Sequence, residues 1–303
     1  MVKFIGGMRS KVNGSGLMHK KIYTLAGFPR AGNTLLSCIL NQNPSVQATA
    51  HSVTPDILYA LEQVKKFSPC YLNFPDANSY DNVMKNIISN YYKDWNADYI
   101  IERGDWITPF NFNVFKKYAP NKIKIVIMVR DIIDIIKSYL KLCEKNPEFH
   151  INREYNLLDK TELYTNEIET KCDLIMKKNG YVDRALYSIK WILENNNLYD
   201  IHIVEYENLV NDTEGTVKSI CEFYDLPLFE YKFTDLQQLE VNGQVYNDEY
   251  LKAPLHTIRT DKVEKDMTDI HLSPKVINKY NNLEIWRDYL LLFKTSKRLS
   301  HGT

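Results

Sequence analysis

Residues 21–40, KIYTLAGFPRAGNTLLSCIL, constrain the fold of this chain more than any other stretch. An apolar run over 22–26 leads into Gly27-Phe28-Pro29-Arg30-Ala31-Gly32-Asn33-Thr34, and Leu35, Leu36, Ile39 and Leu40 then follow at helical spacing. The spacing is that of a phosphate-binding loop, G-x-x-x-x-G-K-[ST], with Asn33 at the lysine position. Backbone N–H groups in such a loop, together with the N-terminus of the helix behind it, can hold an anion. The lysine of these loops reaches the β- and γ-phosphates of a nucleoside triphosphate. A loop without it, but with Arg30 inside, suits a nucleotide that has no γ-phosphate. Glycine spacing alone also fits an ordinary βα turn, so the remainder of the chain has to decide.

Strands are expected at 21–26, 98–102, 123–129 and 201–205, and helical patterns at 55–66, 80–94, 110–118, 131–144, 161–179, 181–195 and 213–225. The run 123–129 is almost wholly apolar, as befits a strand covered on both faces of a parallel sheet. This alternation predicts an α/β fold with a central parallel sheet and helices on both faces. Asn211 is expected to cap the helix that follows it, with Glu214 at capping-box spacing. Residues 1–19 read as a flexible leader, 20–295 as a single domain with a helical excursion over 146–180, and 296–303 as a tail.

Lys+Arg and Asp+Glu balance at 38 each, so no net field draws the chain to nucleic acid or an anionic membrane. Five scattered cysteines without C-x-x-C spacing suggest neither a zinc site nor a disulfide framework. No apolar run has the length of a membrane span and no h-region opens the chain, which predicts a cytoplasmic protein.

Three further groups fall beyond the expected strand ends, where α/β sheets place ligands. In the first, Arg130 closes the strand 123–129 and Asp131 can cap the next helix. Ser138, seven residues past Asp131, returns to nearly the same helix face about 10 Å along the axis. A guanidinium and a hydroxyl can therefore meet one anion there, although an Arg–Asp surface pair fits too. In the second, Val204-Glu205-Tyr206-Glu207-Asn208-Leu209 sets an aromatic at a strand end, where it can lie against a nucleobase or simply pack. The third is Ile101-Glu102-Arg103-Gly104-Asp105-Trp106, a charged turn suited to a solvent-facing loop or an active-site wall.

Together these pieces resemble the sulfotransferases that use 3′-phosphoadenosine-5′-phosphosulfate (PAPS), above all the tyrosylprotein and carbohydrate branches. Those enzymes open with a strand and a G-x-P-R-S-G-[ST]-[ST] loop that holds the 5′-phosphosulfate. Here Ala31 and Asn33 depart from that pattern, while Arg30, Gly32 and Thr34 keep it. The family's 3′-phosphate pair, an arginine at a strand end and a serine eight residues on, matches Arg130 and Ser138. Its Tyr-Glu-x-Leu motif, whose tyrosine lines the adenine pocket, matches Tyr206-Glu207-Asn208-Leu209. The resemblance implies a P-loop NTPase-like three-layer fold and in-line, metal-independent transfer of a sulfuryl group from PAPS. Acceptors in its range are small molecules, carbohydrates and peptides.

The resemblance also distributes roles. Counting from the loop arginine places His51 where the tyrosylprotein branch has its base. Arg103 falls near a cation that assists the leaving oxygen, and Glu102 or Asp105 are the alternative bases. Residues after Tyr246, including Leu255-His256-Thr257-Ile258-Arg259, should close over the nucleotide, with Arg259 as a phosphate contact. A P-loop kinase and a catalytically degenerate nucleotide-binding protein of the same fold are the rival readings.

Overall fold

The structure, a computed structural model, describes residues 20–158, 166–195, 200–265 and 269–291. The leader expected over 1–19 and the tail over 296–303 lie outside the described residues. Five parallel strands form the main sheet: β1 (Lys21–Gly27), β2 (Val46–Ala48), β3 (Tyr99–Arg103), β4 (Ile125–Val129) and β5 (Ile201–Glu205). Their order is β2-β3-β1-β4-β5. The chain fills one side of β1 first and the other side later, so β1 sits at the switch point. All carboxyl ends share one edge, and the loop after β1 lies at its centre, where α/β sheets bind ligands.

Helices follow in the order α1 (Asn33–Leu40), α2 (Thr54–Phe67), α3 (Pro69–Asn73), α4 (Ala77–Tyr91), α5 (Pro109–Tyr118) and α6 (Ile132–Lys145). After them come α7 (His150–Leu157), α8 (Glu167–Ile175), α9 (Tyr181–Asn195), α10 (Tyr206–Asn211), α11 (Thr213–Tyr224) and α12 (Pro274–Tyr280). Alternation along the strands splits the core in two. Ile22 and Ile100 face Leu58, Met84, Ile88 and Phe115 of α2, α4 and α5. Tyr23, Leu25 and Ile101 face the other way, into the core shared with α1, α6, α9 and α11. A sheet covered on both faces by helices, as expected, is the result. Ile151, Cys172 and Ile175 join the larger core, so within the 146–180 excursion α8 packs on α6 and α7 packs on α8.

Several details differ from the sequence reading. Strand β2 was not expected: three residues are too few to show alternation, and pairing with β3 creates the strand. The helix expected over 161–179 is described only as α8, and 159–165 lie outside the described residues. It stops at Ile175 because Asn179, at φ 61°, and Gly180 turn the chain into α9. Asn211 does not cap α11. It ends α10, and the cap is Asp212, whose carboxylate accepts from the Gly215 N–H at 3.1 Å. Asp131 caps α6 as expected, accepting from Ile133 and Asp134.

Gly27 closes β1 at φ 136°, and a Cβ there would lie 2.0 Å from the Met128 carbonyl oxygen of β4. The site must be glycine for the two strand ends to approach. We expect Gly27→Ala to destabilise the protein by roughly 3 kcal/mol or more, read as a lower urea midpoint. An unchanged midpoint would contradict this packing.

Candidate active site

The loop after β1 is built around a strained arginine. Arg30 adopts φ 63°, a left-handed conformation unusual for a side-chain-bearing residue. Three contacts hold it. Its carbonyl accepts from Arg130 Nη1 at 2.8 Å, its Nε donates to Ser138 Oγ at 3.1 Å, and its Nη1 donates to the Leu255 carbonyl at 2.8 Å. The residues expected to read a 3′-phosphate are thus joined through the loop arginine.

Arg130 is 5 % exposed. Its guanidinium lies 4.2 Å from the centre of the Tyr206 ring, a cation–π contact. Arg130 Nε is buried with no hydrogen-bond partner among the described residues, although donors so placed are normally satisfied. Gly32, at φ 83°, has no Cβ because one would press on the Tyr206 ring at 2.9 Å. It is the N-cap of α1 and offers no side chain to the first N–H groups of the helix, so that positive end is open. Asn33 does not stand in for a lysine. Its Nδ2 donates to the Phe28 carbonyl at 2.8 Å, which turns the side chain back under the loop.

These groups line a cavity of about 460 Å³, together with Thr34 and Arg259. His51, Arg103, Asp105, Tyr246 and His256 line the same cavity, with Tyr181 and Arg184 of α9. Among the described residues Arg30, Arg103, Arg130, Arg184, Arg259 and Lys262 line it, against the acidic Asp105 and Glu264. A chain of zero net charge therefore carries a locally cationic cavity.

Edge strand β2 positions the wall near His51. Thr49 N–H donates to the Ile101 carbonyl at 3.0 Å and Ser52 N–H to the Arg103 carbonyl at 2.7 Å, so His51 is carried along the end of β3. Arg103 is anchored through its N–H on Thr49 Oγ1 and its Nη1 on the Ala50 carbonyl. Burial brings its pKa down to about 10, which leaves it cationic at neutral pH. His51 keeps an exposed surface at the cavity, and the surrounding protein and then the Arg103 charge lower its imidazole pKa from the ordinary range. It is neutral at neutral pH.

The Sulfotransferase family profile matches residues 24–230. The chain belongs to the sulfotransferase family. Its fold is similar to that of a sulfotransferase domain from the curacin biosynthetic pathway, 12% identical, over 86% of this chain and 97% of that one, with a TM-score of 0.52. Weaker likenesses are a sulfotransferase from Alicyclobacillus acidocaldarius (15% identity, 86% of this chain and 89% of that chain, TM-score 0.45) and the mouse sulfotransferase SULT7A1 complexed with PAP (14%, 76% and 70%, 0.39). No curated protein sequence matches significantly. Among the described residues no helix is long and apolar enough to cross a membrane, and no three His, Cys, Asp or Glu side chains stand together as a metal site.

Of the residues singled out in the sequence, this sulfotransferase brings Arg30, Gly32, Asn33, Thr34, His51, Arg103, Arg130, Ser138, Tyr206 and Arg259 to one cavity. Ala31 is fully buried beneath the loop. Arg259 pairs with Glu264 at 2.9 Å. Glu102 does not belong with them. It is fully buried on the opposite side of β3, and its Oε1 accepts from Ser52 Oγ at 2.7 Å. Burial raises its pKa to about 8, which favours the protonated form at neutral pH, and its carboxyl group does not reach the cavity where an acceptor would sit. Sequence reasoning missed Arg184 as a wall residue and Asp248 as the partner of the wall residue His256. Their only signal was the presence of polar and aromatic groups in segments whose position depends on tertiary packing.

The Glu102 shift has a consequence for stability. Because the folded-state pKa exceeds the ordinary 4.5, its contribution is fully present below pH 4.5 and is lost as pH rises through about 8. In Glu102→Gln the fall in unfolding free energy between these values should flatten, and the variant should exceed the wild type at pH 8. Identical pH slopes for the two proteins in urea unfolding would refute a protonated Glu102.

Proposed function

We propose that the protein transfers a sulfuryl group from PAPS to a hydroxyl or amine of a small-molecule, carbohydrate or peptide acceptor, releasing adenosine 3′,5′-bisphosphate. The observation that carries this reading is the buried Arg130 with its unpartnered Nε, set beside the open α1 N-terminus and facing a neutral imidazole across one cavity. PAPS would supply the sulfuryl group and the bridging oxygen that gains charge as the S–O bond breaks in line.

The open N–H groups at the start of α1 and the Thr34 hydroxyl suit the 5′-phosphosulfate. Arg130 and Ser138 suit the 3′-phosphate, where a planar guanidinium gives paired donors. Tyr206 braces Arg130 and borders the adenine end, and Arg259 supplies a phosphate contact at the rim. Arg30 and Arg103 place fixed positive charge where the leaving oxygen becomes an anion, which stabilises the transition state more than the ground state. His51 takes the acceptor's proton as its oxygen or nitrogen attacks sulfur. Arginines meet the donor's charge, so the scheme assigns no step to a metal ion. A kinase reading is disfavoured by Asn33, whose amide is tied to Phe28. The domain is taken as continuous over 20–295, with 146–180 as a helical excursion whose His150 lines the cavity.

Two measurements test this. Adenosine 3′,5′-bisphosphate should bind more tightly than AMP, by the about 1.5–3 kcal/mol of a charge-assisted contact. Arg130→Ala should abolish most of that preference in calorimetry. Equal affinity of the wild type for both nucleotides would sink the assignment of Arg130. In sulfate-transfer assays from PAPS to a mixed acceptor panel, His51→Gln should lose about 10² in turnover while bisphosphate affinity holds. Activity of the wild type should fall on the acid side with a midpoint below about 6.5, since protonation disables an imidazole whose pKa is depressed. Full activity of His51→Gln would remove His51 from this role.

A further inference from the structure

His51 is not the sole imidazole on the acceptor wall. His256 lies in the segment beyond residue 230, outside the stretch that the family profile matches. Its Nδ1 is 2.6 Å from Asp248 Oδ1, and its backbone N–H donates to Asp248 Oδ2 at 2.6 Å. One carboxylate therefore grips both the ring and the main chain of the same residue. The two side chains are only 10% and 11% exposed. The Tyr246 ring packs on the imidazole with centroids 4.5 Å apart, which limits its rotation.

A carboxylate only accepts hydrogen bonds, so the proton of the neutral ring sits on Nδ1 and Nε2 keeps its lone pair. Nε2 makes no hydrogen bond among the described residues, and His256 lines the cavity. This is the arrangement of an oriented base: an acceptor nitrogen open to substrate, with a third group fixing tautomer and angle. His51 has no such orienting partner among the described residues. The groups facing His256 are Asp248, which favours its cation, and Arg103 and His51, which oppose it. Burial opposes it most, so the ring stays below the ordinary histidine range and is neutral at neutral pH. The strap that carries His256 is also tied to the loop. Arg30 Nη1 donates to the carbonyl of Leu255, the neighbouring residue.

We propose that His256, oriented by Asp248, is a second catalytic base at the acceptor end, a role that rests on the sulfotransfer reading above. As the acceptor oxygen or nitrogen bonds to sulfur, its bond to hydrogen breaks and the proton passes to His256 Nε2. The electron pair of the breaking S–O bond leaves with the bisphosphate. Asp248 then faces an imidazolium, which its charge stabilises. Asp248 is the positioning residue, and His256 gives the single acceptor proton a second route beside the one through His51.

The test compares His51→Gln, His256→Gln, the double variant and Asp248→Asn in sulfate transfer from PAPS, with bisphosphate affinity as the control for folding. His256→Gln should lose at least about tenfold in kcat, and the double variant should fall to about 10²–10⁴ below wild type. Asp248→Asn should lower kcat and move the acid limb of kcat to lower pH, because the carboxylate that raises the His256 pKa is gone. A merely structural aspartate would leave that limb in place. Nitrogen-15 NMR of the histidines should show His256 protonated on Nδ1, whether or not an acceptor is known. A His256→Gln variant with wild-type kcat and acid limb, or an Nε2–H tautomer in the spectrum, overturns the proposal. No sulfate transfer by the wild type across the acceptor panel is a separate outcome, and it removes the sulfotransfer reading and this role together.

Discussion

The hydrogen bond from Arg130 to the carbonyl of Arg30 is the contact on which the site depends. It joins the end of β4 to the loop after β1 at 2.8 Å, across the sheet's switch point. A left-handed conformation costs a side-chain-bearing residue about 1–2 kcal/mol, and charged hydrogen bonds return about 1.5–3 kcal/mol each. The bonds of Arg30 to Arg130, Ser138 and Leu255 therefore outweigh the strain and hold one loop shape. That shape leaves the α1 N-terminus uncapped and aims Arg130 along the cavity wall. Both glycines serve the same geometry. Gly27 lets β1 and β4 meet, and Gly32 lets the Tyr206 ring lie beneath the loop.

Electrostatics inside the cavity differ from those of the whole chain. Equal numbers of acidic and basic residues cancel globally, yet arginines gather at the sheet's carboxyl edge because β1, β3 and β4 each end there in or beside one. Burial limits what opposes them. Glu102 adjoins Arg103 in sequence but points to the other face of β3, where desolvation keeps it protonated. A neutral carboxyl group behind the site leaves the field of Arg103 undiminished toward the cavity. The same field lowers the pKa of both His51 and His256, so cations that suit an anionic donor also keep the nearby imidazoles in their basic form.

The two sides of the cavity are built differently. The side beside Arg30 and Arg130 rests on strand termini and helix starts, with donors fixed by the backbone. The side that carries His51 and His256 is assembled from an edge strand of three residues, the α9 face and a C-terminal strap. Its precision comes from side-chain clamps such as Ser52 on Glu102 and Asp248 on His256. Ser52 and Glu102 join segments 50 residues apart, whereas Asp248 and His256 are 8 residues apart within the strap, which the Arg30–Leu255 bond ties to the loop.

By itself the sequence determined the parallel sheet, the strand–loop–helix unit of residues 21–40 and the family, because apolar periodicity and glycine spacing are local properties. Arg130, Ser138 and Tyr206 were legible for the same reason: each stands at a fixed offset from a recognisable strand. Tertiary structure alone decided the rest. Strand β2 exists through pairing, and the cap of α11 moved to Asp212 once Tyr206–Asn211 formed its own turn of helix. The sequence offers His51 as the base with Glu102 or Asp105 as alternatives; strand alternation sends Glu102 into the core, while the chain past β2 leaves His51 on the cavity. Nothing local distinguishes His256 from six other histidines. The turn of residues 246–259 sets its ring on Asp248, 8 residues earlier, but only the long-range packing of that strap on the loop brings the pair to the cavity, and such packing leaves no periodic mark in the sequence.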